Sequence, residues 1–157
     1  DLTSGNKIHR YQISADSSEV VYSAGPIYAS NGNEMYRVPI DGTAEAVLLH
    51  NPLVSGGGIW AFQISTDGSR VVYVAEQETE YITELYEVPL DGATLPTKIN
   101  KPLVEGGRVG GFEISADNVW VIYVADQDTN EVYELYAFGE PKNEISTQYL
   151  PVIVTND

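Results

Sequence analysis

The apolar residues of this chain are gathered into short runs that recur. Val20-Val21-Tyr22, Val71-Val72-Tyr73-Val74 and Val121-Ile122-Tyr123-Val124 are apolar in succession rather than alternately, which is the pattern of a strand covered on both faces. Each run follows a related segment at the same distance: Tyr11-Gln12-Ile13-Ser14-Ala15-Asp16, Phe62-Gln63-Ile64-Ser65-Thr66-Asp67 and Phe112-Glu113-Ile114-Ser115-Ala116-Asp117, offset by 51 and 50 residues. A third element, whose own Tyr lies 13 or 14 residues beyond the Tyr of the run, is Met35-Tyr36-Arg37-Val38-Pro39, Leu85-Tyr86-Glu87-Val88-Pro89 and Leu135-Tyr136-Ala137-Phe138-Gly139. A fourth falls at residues 46–49 and 97–100, with a weaker match at 147–150.

All four elements are rich in β-branched and aromatic residues and are separated by turn residues, so each is predicted to be a strand. No segment has a helical period. Asp67-Gly68, Asp41-Gly42 and Asp91-Gly92 supply hairpin turns, since Gly accepts positive φ without a Cβ penalty. The third repeat has Glu140-Pro141 where the others have Asp-Gly, which predicts an irregular last hairpin. Gly-rich segments at 51–58 and 101–107 connect one repeat to the next. Four antiparallel strands in a unit of about 50 residues is the arrangement of a β-propeller blade. The fold class predicted is therefore all-β, a propeller built of four-stranded antiparallel blades. A two-sheet sandwich is the competing arrangement, but it requires no repeat at this period.

The segment 62–75, followed by 84–92, closely resembles the TolB-like (WD-repeat-like) β-propeller repeat. That family's pattern runs approximately Phe-x-x-Ser-Pro-Asp-Gly, then an apolar strand, then an Ile/Leu-Tyr strand ending in Asp-Gly. Here Ala15, Thr66 and Ala116 replace the Pro, while Ser17 and Asn118 replace the Gly that Gly68 retains. The resemblance covers nearly the whole chain. It implies a propeller serving as a periplasmic scaffold, a partner-binding platform or the gate of a serine peptidase, and fold alone does not choose between these.

Three blades are expected, at about 8–50, 59–100 and 109–154, in a single 157-residue propeller segment. Propellers close with four to eight blades. Three would leave two apolar faces in water, and such faces mark interfaces. Two copies would close six blades, the usual number for TolB-like rings, and three copies would close nine. A contact that does not close gives a filament. Further blades of a longer chain are the remaining alternative, and an N-terminal Asp rather than Met suggests a processed or excised segment.

Composition narrows the partners. Eight Lys and Arg against 23 Asp and Glu give a net charge of −15, a field that repels nucleic-acid backbones and anionic membranes. No apolar run is long enough to span a membrane. With no Cys, neither a disulfide nor a thiolate metal site is available. The charge is expected on loops and outer edges, since the blade faces must be apolar to pack.

The chemistry on offer is sparse. Asp126-x-Asp128-x-Asn130 places oxygen ligands at alternate positions of a tight loop, a spacing suited to Ca²⁺, although neither the sixth-position Gly nor the twelfth-position Glu of a calcium loop follows. A solvated acidic turn is the other reading of the same loop, and no other cofactor is implied. His9 and Trp60 share one repeat position, at the start of an innermost strand. Trp60, Tyr28, Tyr81 and Tyr133 could form an aromatic surface for a peptide or sugar partner near the channel mouth, with His9 beside it. His50 is expected at an exposed outer strand. There is no Gly-x-Ser-x-Gly elbow, and only two His are present. These features predict a non-catalytic, self-assembling module of the periplasm or cell surface. A hydrolase-associated gate and a Ca²⁺-stabilised surface or filament protein are the alternatives.

Overall fold

The doubly apolar runs become the second strand of each of three antiparallel sheets, as seen in a computed structural model that describes residues 5–27 and 32–139 and the backbone of 150–152. The first sheet is β1 (Asn6–Ile13), β2 (Glu19–Pro26), β3 (Glu34–Pro39) and β4 (Val47–Leu48). The second is β5 (Ile59–Ile64), β6 (Arg70–Ala75), β7 (Glu84–Pro89) and β8 (Thr97–Lys98). The third is β9 (Val109–Ile114), β10 (Trp120–Ala125), β11 (Glu134–Gly139) and β12 (Leu150–Val152). Strands follow one another in space as they do along the chain, and no helix occurs among the described residues.

Packing explains the patterning. On β6, Val71, Tyr73 and Ala75 face the first blade and join Val21, Met35 and Leu49 in one core. Val72 and Val74 point the other way, into a second core with Val121, Tyr123, Ala125 and Tyr136. The middle strand of the middle blade is thus buried on both faces. In every blade the Tyr of the second strand lies directly opposite the Tyr of the third, as Tyr22 and Tyr36, Tyr73 and Tyr86, and Tyr123 and Tyr136. Their rings stack with centroids 5.4, 5.4 and 5.5 Å apart, an arrangement worth about 0.5–1.5 kcal/mol beyond area burial. The third-strand hydroxyls donate to carboxylates one repeat apart: Tyr36 to Glu34, Tyr86 to Glu84 at 3.1 Å and Tyr136 to Glu134 at 3.0 Å.

The turn between first and second strands is built identically three times. Ser14, Ser65 and Ser115 donate Oγ–H to Asp16, Asp67 and Asp117 at 2.6, 2.6 and 2.5 Å. The same hydroxyls accept the N–H of Glu19, Arg70 and Trp120 at 2.9, 3.1 and 2.9 Å. The next residue is left-handed in each turn, with φ of 61° at Ser17, 71° at Gly68 and 60° at Asn118. The loss of Gly therefore leaves the turn geometry unchanged and loads the strain onto Ser17 and Asn118. Asn118 recovers something, because its Oδ1 accepts the Thr66 N–H at 2.9 Å and the Thr66 hydroxyl at 3.0 Å across the blade joint.

Two backbone and side-chain links recur at each joint. The Ile59 N–H donates to the Asn33 carbonyl at 2.9 Å and the Val109 N–H to the Thr83 carbonyl at 2.8 Å. Gln12 Oε1 accepts the Ile64 N–H at 2.9 Å and Gln63 Oε1 the Ile114 N–H at 3.3 Å. The Gly-rich crossovers tuck beneath the loops that leave the second strands; a Cβ on Gly107 would lie 2.7 Å from the Asp126 carbonyl oxygen.

The described part of the third blade's fourth strand is Leu150–Val152, with Tyr136 opposite Pro151; the rest of the match at 147–150 and the Glu140-Pro141 hairpin lie outside the described residues. In the first two blades Tyr36 pairs with Leu48 and Tyr86 with Lys98. The third-blade partner comes later along the chain. Pro is tolerated there on an edge strand. His50 is buried, not exposed. It occupies the position of Asn100, whose Oδ1 accepts the Leu85 N–H at 2.8 Å, and its own Nδ1 lies 2.6 Å from the Asn51 carbonyl oxygen.

Ser17→Gly should raise stability by about 0.5–1 kcal/mol, since the left-handed penalty is removed and no side-chain contact is lost. Asn118→Gly should not, because it forfeits the bonds to Thr66, and paired thermal melts check both. The Ser donors hold the carboxyls of Asp16 and Asp67 down at about 2. A lowered folded-state pKa contributes stability above the unfolded value near 3.9 that is lost as pH falls towards 2. Melting temperature should therefore drop across pH 4 to 2, and less steeply in the double variant Ser14→Ala, Ser65→Ala.

Candidate functional site

The innermost strands β1, β5 and β9 lie side by side across the two joints. Each pairs with its neighbour through a bulge at one repeat position. The register passes from Ile8 opposite Ala24 to Arg10 opposite Ser23, from Ile59 opposite Ala75 to Ala61 opposite Val74, and from Val109 opposite Ala125 to Gly111 opposite Val124. His9, Trp60 and Gly110 are the residues skipped. A bulge releases a residue from the ladder and re-aims its side chain, so Trp60 stands half exposed instead of packing into a blade face.

Trp60 forms one wall of a cavity of about 390 Å³ between the second and third blades, shared with Glu76, Tyr81, Thr83, Arg108 and Gly110. Gly110 keeps the floor open, with the Tyr133 ring 3.9 Å from where its Cβ would stand. Tyr81 is left-handed at φ 65°, as is Glu131 at the same repeat position at 64°, so the turn imposes the conformation whatever the residue. Its ring is solvent-exposed, and the hydrogen-bonded Glu80 carboxylate pushes the phenol up, with Glu76 adding to the effect. Thr83 is committed to the joint, donating to the Val109 carbonyl at 2.7 Å. Glu76 is only 7% exposed.

The aromatic surface expected from sequence is thus partly assembled. Trp60 and Tyr81 share one cavity and Tyr133 abuts it. His9 lines a separate hollow of about 350 Å³ with Arg10, Tyr11, Gln12 and Phe62. Tyr28 lies outside the described residues.

Asp126, Asp128 and Asn130 each meet different neighbours. Asp126 is fully buried, and its carboxylate accepts the Arg108 N–H at 2.5 Å and the Glu131 N–H at 3.0 Å. Burial pushes its carboxyl up, but those two backbone donors outweigh burial and the net shift is downward. Asp128 accepts the Tyr136 hydroxyl at 3.1 Å, while the Asn130 amide packs against Gly106. Among the described residues, no three Asp, Glu or His side chains gather as a metal site. The first carboxylate is turned inward and ties the loop to the crossover.

Comparison with known proteins fixes the architecture. No protein-family model matches the chain, and no curated protein matches it. Solved structures do. A TolB-type protein from Agrobacterium tumefaciens superposes with a TM-score of 0.59 at 14% identity, over 95% of this chain and 52% of that one. The β-propeller domain of the Trilobed protease from Pyrococcus furiosus gives 0.59 at 15% identity, over 94% and 43%. A prolyl endopeptidase gives 0.66 at 10% identity, over 98% and 23%. The fold is a TolB-like β-propeller. The chain spans about half the length of the TolB-type structure and less of the other two, so three blades here match part of each of those proteins.

Two residues of this propeller's cavity were not singled out from sequence. Glu76 and Asp126 share a repeat position directly after the buried run, and that coincidence was the available signal. Arg108 carried none, since Gly58 stands at its position one blade earlier.

Asp126→Asn should lower stability by about 1–3 kcal/mol, because an amide cannot accept from both backbone N–H groups at once. Chelator should leave the melting temperature of the unmodified propeller unchanged. Thermal melts with and without EDTA check both outcomes.

Proposed function

We propose that this chain is a non-catalytic propeller module that completes a six-bladed ring with a second copy of itself and presents the ring as a partner-binding platform, in the periplasm or at the cell surface. The observation that carries the reading is that the two open faces of the three-bladed unit repeat the two sides of its internal joints.

On the first blade, Tyr22 and Tyr36 stack as their counterparts do, yet they lie half open while Tyr73, Tyr86, Tyr123 and Tyr136 are fully buried. Ile13 is 49% exposed where Ile64 is 3%, and Ile40 is 52% exposed where Leu90 is 7%. Covering those two Ile side chains as in the internal joints would contribute about 1 kcal/mol each. On the third blade, Ile122, Val124 and Leu135 hold the positions of Val72, Val74 and Leu85, and there they border a hollow of about 490 Å³. Glu113 stands where Gln12 and Gln63 accept the next blade's N–H, and Ile13 stands where Ile64 and Ile114 donate one. Each open face therefore carries the complement of the other. Such a heterologous contact gives a closed ring when its rotation closes, and six blades lie within the normal range.

The absence of Cys and of a Gly-x-Ser-x-Gly elbow supports a non-catalytic role. No helix among the described residues is long and apolar enough to cross a membrane. The fold likeness to peptidase propellers favours a second reading, a gate or substrate-recognition domain within a larger hydrolase.

Light scattering should give twice 17.2 kDa, and Val124→Asp should halve that mass without loss of β-sheet circular dichroism. A folded, monodisperse species of 17.2 kDa would overturn the shared ring.

A further inference from the structure

A buried carboxylate is costly unless something pairs with it. Of the nearly buried carboxylates Glu76, Glu84 and Asp126, Glu76 is the one that lines a cavity. It is 7% exposed, it lines the Trp60 cavity, and its side chain makes no hydrogen bond or ion pair among the described residues. Neighbouring acids are served: Lys98 reaches Glu78 at 2.7 Å and Glu84 at 2.9 Å. The cation nearest to the opening, Arg108, is exposed and its charge acts on Asp126.

The geometry points to a binding site for a cationic side chain, the ammonium or guanidinium of a peptide Lys or Arg, seated on the Glu76 carboxylate between the Trp60 and Tyr81 rings. Both rings are available. Trp60 is 44% exposed and Tyr81 76%, and an aromatic face attracts a cation placed over it. The bulge at Trp60 and the left-handed turn at Tyr81 set these two walls within the second blade. The Thr83 hydroxyl is already engaged by the Val109 carbonyl, so Glu76 and Arg108 are the polar groups left to meet a ligand. A Lys or Arg within a peptide suits both, with its charged end on Glu76 and a backbone carbonyl towards Arg108. The wider field agrees, since a net charge of −15 draws cationic partners to the surface. A neutral sugar could stack on the same rings but would leave the carboxylate unpaired.

This inference builds on the reading of the chain as a binding module but not on ring closure, because every wall of the cavity belongs to one chain. The test is titration of the protein with acetyl-Gly-Lys-Gly-amide, followed by tryptophan fluorescence and calorimetry. The norleucine analogue and a neutral tetrasaccharide serve as controls. The Lys peptide should bind at least tenfold more tightly than the norleucine peptide, and the tetrasaccharide should give no signal. Glu76→Gln should weaken Lys binding at least tenfold. Trp60→Ala, at an exposed position that will not disturb folding, should do the same and keeps the test open if Glu76→Gln is unstable. Absence of Lys binding, equal binding of the norleucine peptide, undiminished binding by either folded variant, or binding of the sugar instead would overturn the proposal. A monomer that binds the Lys peptide would sink the ring and leave this site standing; a dimer that does not bind would do the reverse.

Discussion

Burial of the second strand on both faces is the constraint from which the rest of the molecule follows. Val71 through Ala75 can be apolar in succession because one blade lies on either side of β6. A free four-stranded sheet with that sequence would expose an apolar face to water. The stacked Tyr pairs tie the second strand of each blade to the third. Each pair lies at the centre of its sheet, with the phenol rings in the apolar layer and the hydroxyls carried out to Gln77, Gln127 or a third-strand carboxylate. Because the same construction recurs, each blade is only as stable as the neighbours that cover it.

The large negative charge is not spread passively over the outside. Asp16, Asp67 and Asp117 organise three hairpins, Asp126 fastens a loop from within, and Glu84 is nearly buried between Tyr86 and Lys98. Carboxylates act here as acceptors for backbone and hydroxyl donors, a role with little need for counter-ions. The ion pairs that do form show how loosely sign is specified. Glu19 with Arg37 and Arg70 with Glu87 occupy the same two repeat positions with the charges exchanged, so the position requires attraction across the strands rather than a particular residue.

The fold was legible in the sequence because its signals are periodic and redundant. Three copies of one strand order, each with a doubly apolar run, leave few alternatives, and one weak hairpin does not obscure the others. Single-copy features were harder. His50 was misplaced because a lone His on an outer strand ordinarily faces water. The site divides in the same way. His9 and Trp60 could be paired by repeat position, and they do share a bulge. That Trp60, Tyr81 and Glu76 would line one cavity with Arg108 depends on how the second and third blades pack. The inward turn of Asp126 was not legible either, because spacing along a chain says which oxygens are near, not which way they turn.

The bulge at His9, Trp60 and Gly110 has one more consequence. A residue outside the ladder contributes little to the packing of either face, so its identity is decoupled from the fold. The chain carries an imidazole, an indole and a bare hydrogen at this place without altering the strands around them. Along the inner rim the molecule therefore has positions where recognition chemistry can change while the architecture stays fixed, and new specificities could be written there one residue at a time.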